Sequence, residues 1–300
     1  MKIPLLSVCL ITYNHEKYIR QAIEGVLCQK VDFDWEFIIA DDFSTDGTRA
    51  IIIEYKEKFP ELIKLILQEK NVGPGRNWFD LMEAPKSKYI AYFEGDDYWI
   101  DEKKLQKQVD FLENNTNCVF CFHKAYRISP NNLNYKDVYP KSVNNTIVTT
   151  EEFFTIPTIP TASLVYRNQT ILNDFIHHSQ GDFVLYCTML SKGFAGYLDE
   201  IMSVYRLHEK GVSSKYNENW YLIRRIKELD IEKKHIHFSR KVRKEIDKVL
   251  VDHILYYLNK NRGKLNFKVK LQYFMILIRS HFFYIKSFKE YLKLMKTLIK

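Results

Sequence analysis

The sequence predicts an α/β fold: a mostly parallel sheet flanked by helices, followed by a C-terminal helical extension. Three observations carry this. Over the first 130 residues, short apolar runs rich in β-branched side chains alternate with amphipathic stretches, as strands joined by helical crossovers do. From about Tyr216 the texture changes to Lys-rich amphipathic helix. The charge divides in the same way. Residues 201–300 hold 24 Lys+Arg and 9 Asp+Glu, a net +15, whereas the first 200 residues hold 21 and 28, a net −7. The expected boundary lies between a domain 1–214 and an extension 215–300.

Taken in order, Leu6–Thr12 reads as a buried first strand. Glu16–Gln29 reads as a helix with Ile19, Ala22, Ile23, Val26 and Leu27 on one face. Strand Glu36–Ala40, helix Gly47–Phe59 and strand Ile63–Gln68 follow, then helix Asn77–Glu83, strand Tyr89–Phe93, helix Glu102–Asn114 and strand Cys118–Ile128. Residues 129–150 are polar and turn-rich, a loop or lid by composition. Thr161–Arg167 reads as a strand, Gly181–Lys192 as a helix, and Phe194–Leu207 as holding a strand. The tail helix breaks near Asn261–Gly263.

Composition narrows the function classes. With 46 % hydrophobic and 27 % charged residues, the chain is neither disordered nor fibrous. No apolar run reaches the roughly 18 residues of a spanning helix, and the apolar start lacks a small-residue cleavage site. Cys118 and Cys121 form a C-x-x-C, but no second ligand pair follows at zinc spacing, so they read as core residues of a strand. Five scattered cysteines fit a reducing compartment.

In open α/β sheets, ligands bind beyond the C-terminal ends of the strands. Two acidic clusters fall there: ADDFSTDG (Ala40–Gly47) after the second strand and EGDDYW (Glu94–Trp99) after the fourth. Packing Glu94, Asp96 and Asp97 into one turn is electrostatically costly unless a cation binds, and oxygen ligands of this kind suit Mg²⁺ or Mn²⁺. Such ions take one or two carboxylates and complete their shell with substrate phosphates and water, which points to a metal-bridged diphosphate. Arg76, in NVGPGRNW after the third strand, can clamp an anion. The G-x-x-x-x-G-K-[ST] and G-x-G-x-x-G patterns are both absent.

These segments in this order resemble the family 2 inverting glycosyltransferases with the GT-A (Rossmann-like) fold, of the kind that build bacterial surface glycans. The likeness runs through SVCLITYNHEKYIRQAIEGVLCQ (Ser7–Gln29), the DD-x-S-x-DG of Asp41–Gly47, Arg76–Asn77 and Asp96–Asp97, and covers roughly the first 210 residues. The resemblance implies that Thr12, Tyr13, Asn14, Glu16, Asp42, Arg76 and Asp96 form the nucleotide-sugar set. It implies that Asp97 and His208, the latter in VYRLHEKGVSS with Arg206, serve a Mn²⁺ or Mg²⁺ ion. In QGDFVLYCTML (Gln180–Leu190), Gly181 stands where the family has Glu, while Asp182 retains the position of the catalytic base. Inversion is a single in-line displacement, needing one carboxylate for the acceptor proton and a metal for the departing diphosphate. The Q-x-x-R-W signature of processive synthases is missing, so one sugar is added at a time.

The expected reaction is transfer from a UDP-sugar to a glycan hydroxyl, on a free or lipid-linked acceptor. Sugar choice falls to the loops at 129–150 and Thr158–Ser163. The non-enzymatic rival is a degenerate GT-A-like scaffold at a membrane. A sugar-1-phosphate nucleotidyltransferase would need a Gly-rich basic loop where TYNHEKY stands. Residues 215–300 hold 22 Lys+Arg and 8 Asp+Glu, with Tyr273, Phe274, Leu277, Ile278, Phe282, Ile285, Phe288, Leu292 and Met295 at helical spacing. That stripe fits a helical bundle, a homo-oligomer contact, or an interfacial anchor on anionic headgroups. The expected location is cytoplasmic, on the inner face of the cell membrane if the tail binds lipid. No nucleic-acid partner is expected.

Overall fold

In the computed structural model, residues 3–129, 132–141, 143–156, 159–168, 182–209 and 211 of the first unit are described, with backbone only at 132–135. In the second unit, residues 223, 226–227, 230, 238–261, 269–273 and 275–276 are described. The chain divides into two compact units, Met1–Gly211 and Val212–Lys300.

The first unit begins β1 (Leu6–Thr12), α1 (Ile19–Leu27), β2 (Trp35–Asp41), α2 (Thr48–Lys58), β3 (Ile63–Leu67), α3 (Pro74–Glu83) and β4 (Tyr89–Glu94). It continues with β5 (Tyr98–Trp99), α4 (Lys104–Asn114), β6 (Cys118–Ser129), β7 (Asn132–Tyr139), β8 (Ile147–Val148) and α5 (Thr150–Phe153). A 3₁₀ turn (Thr161–Ser163), β9 (Val165–Arg167), α6 (Asp182–Leu190) and β10 (Phe194–Arg206) complete it. The strands form one sheet in the order β3-β2-β1-β4-β9-β6-β10-β5, with β7 on β6 and β8 on β10.

The parallel content is narrower than the sequence suggests. β3, β2, β1 and β4 run parallel, as do β6 and β10, but β9 enters antiparallel between β4 and β6. Periodicity finds strands but not their direction, and no helical crossover separates Thr161–Ser163 from β9. The segment read as a strand over Thr161–Arg167 opens as the 3₁₀ turn after Pro160. The polar stretch 129–150 is also more ordered than its composition implies: β7 pairs antiparallel with the distal half of β6, and β8 pairs with β10. The 12-residue β6 outruns β9, leaving backbone groups that the next segment satisfies. A polar, Asn-rich sequence can do this because an edge strand asks little of its outer face.

The core lies between β1, β2, β4 and the covering helices. Val8, Leu10, Phe37, Ile39, Ala91 and Phe93 are fully buried against Ile19, Ala22, Ile23 and Val26 of α1. The α1 face is the one its spacing predicts, with Leu27 half-buried at its end. Gly25 lets α1 press against β5, since a Cβ there would lie 2.8 Å from the Trp99 carbonyl oxygen. Cys118 and Cys121 are buried free thiols.

In the second unit, Ser239 caps α7 (Arg240–Lys260), which buries Val242, Ile246, Leu250, Ile254 and Leu258. No helix among the described residues is long and apolar enough to cross a membrane. Thr158, Gln180, Gly181, the break at Gly263 and the stripe at Phe274 and from Leu277 onward lie outside the described residues.

Candidate active site

The parallel register sets the site. Thr12 pairs with Asp41 and Ile11 with Glu94, so the ends of β1, β2 and β4 reach one edge of the sheet together. The turn Glu94–Asp97 closes over that edge. Gly95 lies so near β1 that a Cβ would meet Thr12 Oγ1 at 3.0 Å and His15 Nδ1 at 3.1 Å. β10 then returns from across the sheet and delivers Arg206 and His208 to the same turn.

Asp97 is 1 % exposed. Its Oδ1 accepts the Arg206 backbone N–H at 3.0 Å, and its buried Oδ2 has no hydrogen-bond partner. Burial and the adjacent Asp96 charge push the Asp97 carboxyl well above its ordinary range, against the pull of Arg206. His208 Nε2 bonds Asp96 Oδ2 at 2.9 Å, and His15 Nε2 lies 3.8 Å from the same oxygen. Burial opposes ionisation of Asp96, but His15 and His208 outweigh it and hold the carboxyl below its usual value. Burial draws the His15 pKa down, against Asp96.

Arg206 is sandwiched between tyrosines, its guanidinium 5.2 Å from the Tyr18 ring and 4.2 Å from the Tyr98 ring. It donates to the Asp96 carbonyl and to Gln21 Oε1. Tyr18 also packs on His208, ring centroids 4.7 Å apart.

Asp182 opens α6, where a carboxylate suits the helix dipole. Thr161 Oγ1 donates to its Oδ2 at 3.3 Å. Asp182 lies close enough to Glu94 to act on it: burial, then the charges of Asp182, Asp97 and Asp96, raise the Glu94 carboxyl well above its usual range. Four carboxylates therefore share one end of the sheet. The turn carrying Thr161 is fixed from beneath, Trp99 Nε1 donating to the Ala162 carbonyl at 2.9 Å and Gln108 Nε2 to the Ser163 carbonyl at 2.8 Å.

A second group sits on the β2 side. Asp42, 2 % exposed, accepts the Val72 N–H at 2.7 Å, while its own N–H donates to the Thr12 carbonyl at 3.1 Å. Burial raises its pKa, and the Val72 and Gly73 amides oppose that. Asn14 ties the two loops together, its N–H donating to Ser44 Oγ at 2.9 Å and its Oδ1 accepting the Thr45 N–H at 2.8 Å. The Glu16 N–H donates to Asp46 Oδ2 at 3.2 Å. Tyr13 and Phe43 are 43 % and 41 % exposed at this rim.

Asn14 (φ 55°) and Phe43 (φ 59°) are left-handed. That costs a bulky L-residue roughly 1–2 kcal/mol. The Phe43 ring lies 5.1 Å from the Arg49 guanidinium, an exposed contact that returns about 0.5–1 kcal/mol.

The fold thus gathers Thr12, Asp96, Asp97, His208 and Asp182, with Tyr13, Asn14, Glu16 and Asp42 on the neighbouring loops. Arg76 lies on α3, just beyond the Val72 and Gly73 amides at Asp42, and is exposed and paired with Asp80 at 2.8 Å. Sequence reasoning did not place His15, Tyr18, Gln21, Tyr98 or Thr161 in the site. The readable signal for the first of these was a His three residues beyond Thr12, on the loop where a β1 ligand would sit.

Carboxylates and imidazoles gathered beyond the C-terminal ends of β1, β2 and β4 mark the ligand-binding edge of an open α/β sheet. Residues 7–175 match the glycosyl transferase family 2 sequence model, and the chain belongs to that family. The match ends before Asp182 and His208. An uncharacterized Mycobacterium tuberculosis protein is 36 % identical over 208 residues, 69 % of this chain; the chain spans 60 % of that relative's length. A Bacillus subtilis protein provisionally named teichuronic acid biosynthesis glycosyltransferase TuaG is 31 % identical, over 77 % of this chain and 91 % of its own. Among solved structures, S. aureus TarS in complex with UDP-GlcNAc has a TM-score of 0.60 at 20 % identity, covering 92 % of this chain and 79 % of that one. The Pyrobaculum calidifontis mannosyltransferase PcManGT, in complex with GDP-Man and Mn²⁺, has a TM-score of 0.55 at 12 % identity, covering 100 % and 86 %.

Proposed function

We propose that this chain is a metal-dependent, inverting, non-processive glycosyltransferase that moves one sugar from a UDP-sugar to a hydroxyl of a surface-glycan acceptor. The observation carrying the reading is the buried, unpartnered Oδ2 of Asp97 beside the Asp96–His208 pair, with Asp182 facing the same cluster. Burying a carboxylate oxygen with no donor is costly. A Mn²⁺ or Mg²⁺ ion held by Asp97 and Asp96 would remove that cost and supply Lewis-acid stabilisation of the leaving diphosphate. Among the described residues no three His, Cys, Asp or Glu side chains form a ready metal cage, so an ion held by Asp97 and Asp96 would need substrate phosphates and water to complete its shell. His208 spends its Nε2 on Asp96, so its part is to orient that carboxylate unless a cation displaces the bond.

The chain's own residues do the rest. Asp42 and the Thr12–Asn14 loop hold the nucleoside, Arg206 braces the Asp96–Asp97 turn, and Asp182 accepts the proton of the attacking hydroxyl. The Thr161 hydroxyl donates to Asp182 Oδ2, which helps fix the rotamer of the proposed base. UDP is favoured because the TarS structures, similar over most of this chain, are complexes with UDP and UDP-GlcNAc. Residues 215–300, with their excess of Lys and Arg, hold the enzyme at an anionic membrane surface near a lipid-linked acceptor.

Calorimetric titration of UDP and GDP, with and without Mn²⁺, tests the reading. Wild type binds UDP in a Mn²⁺-dependent manner, and Asp97→Ala loses that dependence. No nucleotide binding under any condition would move the weight to the scaffold reading.

A further inference from the structure

Only two residues other than glycine have a left-handed backbone among the described residues, and both lie on the loops beyond the ends of adjacent strands β1 and β2. Asn14 belongs there by chemistry, since asparagine tolerates this region and its side chain closes a bond to the Thr45 N–H. Phe43 does not. A turn that only had to redirect the chain would use Gly or Asn. The ring's contact with Arg49 is an exposed cation–π pair, weaker than the backbone cost of the conformation. Its setting is nevertheless fixed. Arg49 is locked under the ring by Asp41 Oδ2 at 2.6 Å and by the Gln68 carbonyl at 2.9 Å, so the aromatic face is held in place at the rim beside Asp42. The turn itself is used, since it lets Ser44 bond Asp41 through its N–H and its Oγ. That use does not call for an aromatic side chain, and an exposed ring at a strained position points to a ligand.

Building on the donor reading above, we propose that Phe43 is a ligand-facing residue of the donor site, its ring serving as a stacking face for the nucleobase. Position selects the base over the sugar. The sheet order β2-β1-β4 sets the strand leading into Phe43 two spacings, about 10 Å, from the strand leading into the Asp96–Asp97 turn. That is close to the reach of a nucleoside from its diphosphate to its base. The transferred sugar lies on the opposite side, toward Asp182. Exposed Tyr13, on the neighbouring loop, completes an aromatic rim with Phe43.

Opposite signs make the proposal testable. UDP and inorganic pyrophosphate are titrated calorimetrically in the presence of Mn²⁺, and melting temperatures are measured, for wild type, Phe43→Gly and Phe43→Tyr. Base–aromatic stacking is worth enough that Phe43→Gly should bind UDP at least about fivefold more weakly. It should melt no lower than wild type and keep its pyrophosphate affinity, while Phe43→Tyr should bind UDP like wild type. UDP affinity of Phe43→Gly within about twofold of wild type overturns the proposal alone. So does an equal loss of pyrophosphate affinity, which would mean general damage to the site. A wild type that binds no UDP overturns the donor reading and this proposal with it.

Discussion

Lys104 offers a perturbation whose size can be worked from the structure. Its side chain is completely buried, with Nζ donating to Gln108 Oε1 at 2.7 Å and lying 4.0 Å from the Trp99 ring centroid. Burial pushes its pKa down to about 7, against the pull of Cys121 and Asp101, from 10.5 in the open chain. Below pH 7 the lysine is charged in both the folded and unfolded states, and the folded state carries the full burial penalty. As pH rises from 7 to 10.5 the folded lysine sheds its proton first, so stability climbs, and above 10.5 the penalty is gone. At 1.36 kcal/mol per unit the window from 7 to 10.5 holds about 5 kcal/mol. Lys104→Met removes the charge but strands Gln108 Oε1 at a cost of about 1–3 kcal/mol, which offsets part of the penalty wild type carries at pH 7. The difference between their pH profiles is the informative quantity. In urea titrations wild type should gain about 4–5 kcal/mol on Lys104→Met between pH 7 and 10.5, a midpoint shift of about 2 M. Other titrating groups cancel in the comparison. Parallel profiles would show that Lys104 is uncharged throughout or is hydrated, and would refute the reasoning.

Two further tests address the proposed chemistry and location. Asp182→Asn should retain Mn²⁺-dependent UDP binding while losing about 10²–10⁴ in turnover, the scale of a general base; a fully active variant removes Asp182 from that role. In flotation with anionic liposomes the full chain should rise with the vesicles, and a chain lacking residues 215–300 should not; equal flotation of both would assign the tail to a bundle or an oligomer contact instead.

The elements legible in the sequence are those whose burial repeats in a simple period. β1, β2 and β4 are near-continuous apolar runs because helices cover both faces, and α1 shows its Ile19–Val26 face because only one side is buried. The carboxylates were legible as a consequence: once strand ends are known, Asp42, Asp96 and Asp97 follow from where ligands bind in such sheets. What depends on long-range pairing was not. β7 looks like a loop because half of an edge strand faces solvent, and the antiparallel entry of β9 has no local signature. Tyr18 at the start of α1 and Gln21 on it lie more than 180 residues from Arg206, so no spacing rule joins them. Lys104 reads as one more surface lysine of an amphipathic helix, and only the packing of Trp99 and Gln108 around it shows otherwise. Arg76 was legible by residue type, while its i,i+4 pair with Asp80 shows only once the helix is placed.

The buried brace and the acidic cluster belong to one arrangement. Trp99 lies two residues beyond Asp97 on the chain and donates to the turn that carries Thr161, the partner of Asp182. Arg206 holds Asp97 through its backbone N–H and Asp96 through its guanidinium. A shift of the Asp96–Asp97 turn would therefore be felt at Asp182 through Trp99 and the 3₁₀ turn, and at His208 through β10. Both connections are hydrogen-bonded and mostly buried, in a region where Glu94 and Asp97 are already pushed toward their neutral forms. Neutralising one end of this cluster favours ionisation at the other. Whatever positive charge is drawn to Asp97 therefore relieves Glu94, whose carboxyl is raised by burial and by the charges of Asp182, Asp97 and Asp96 together.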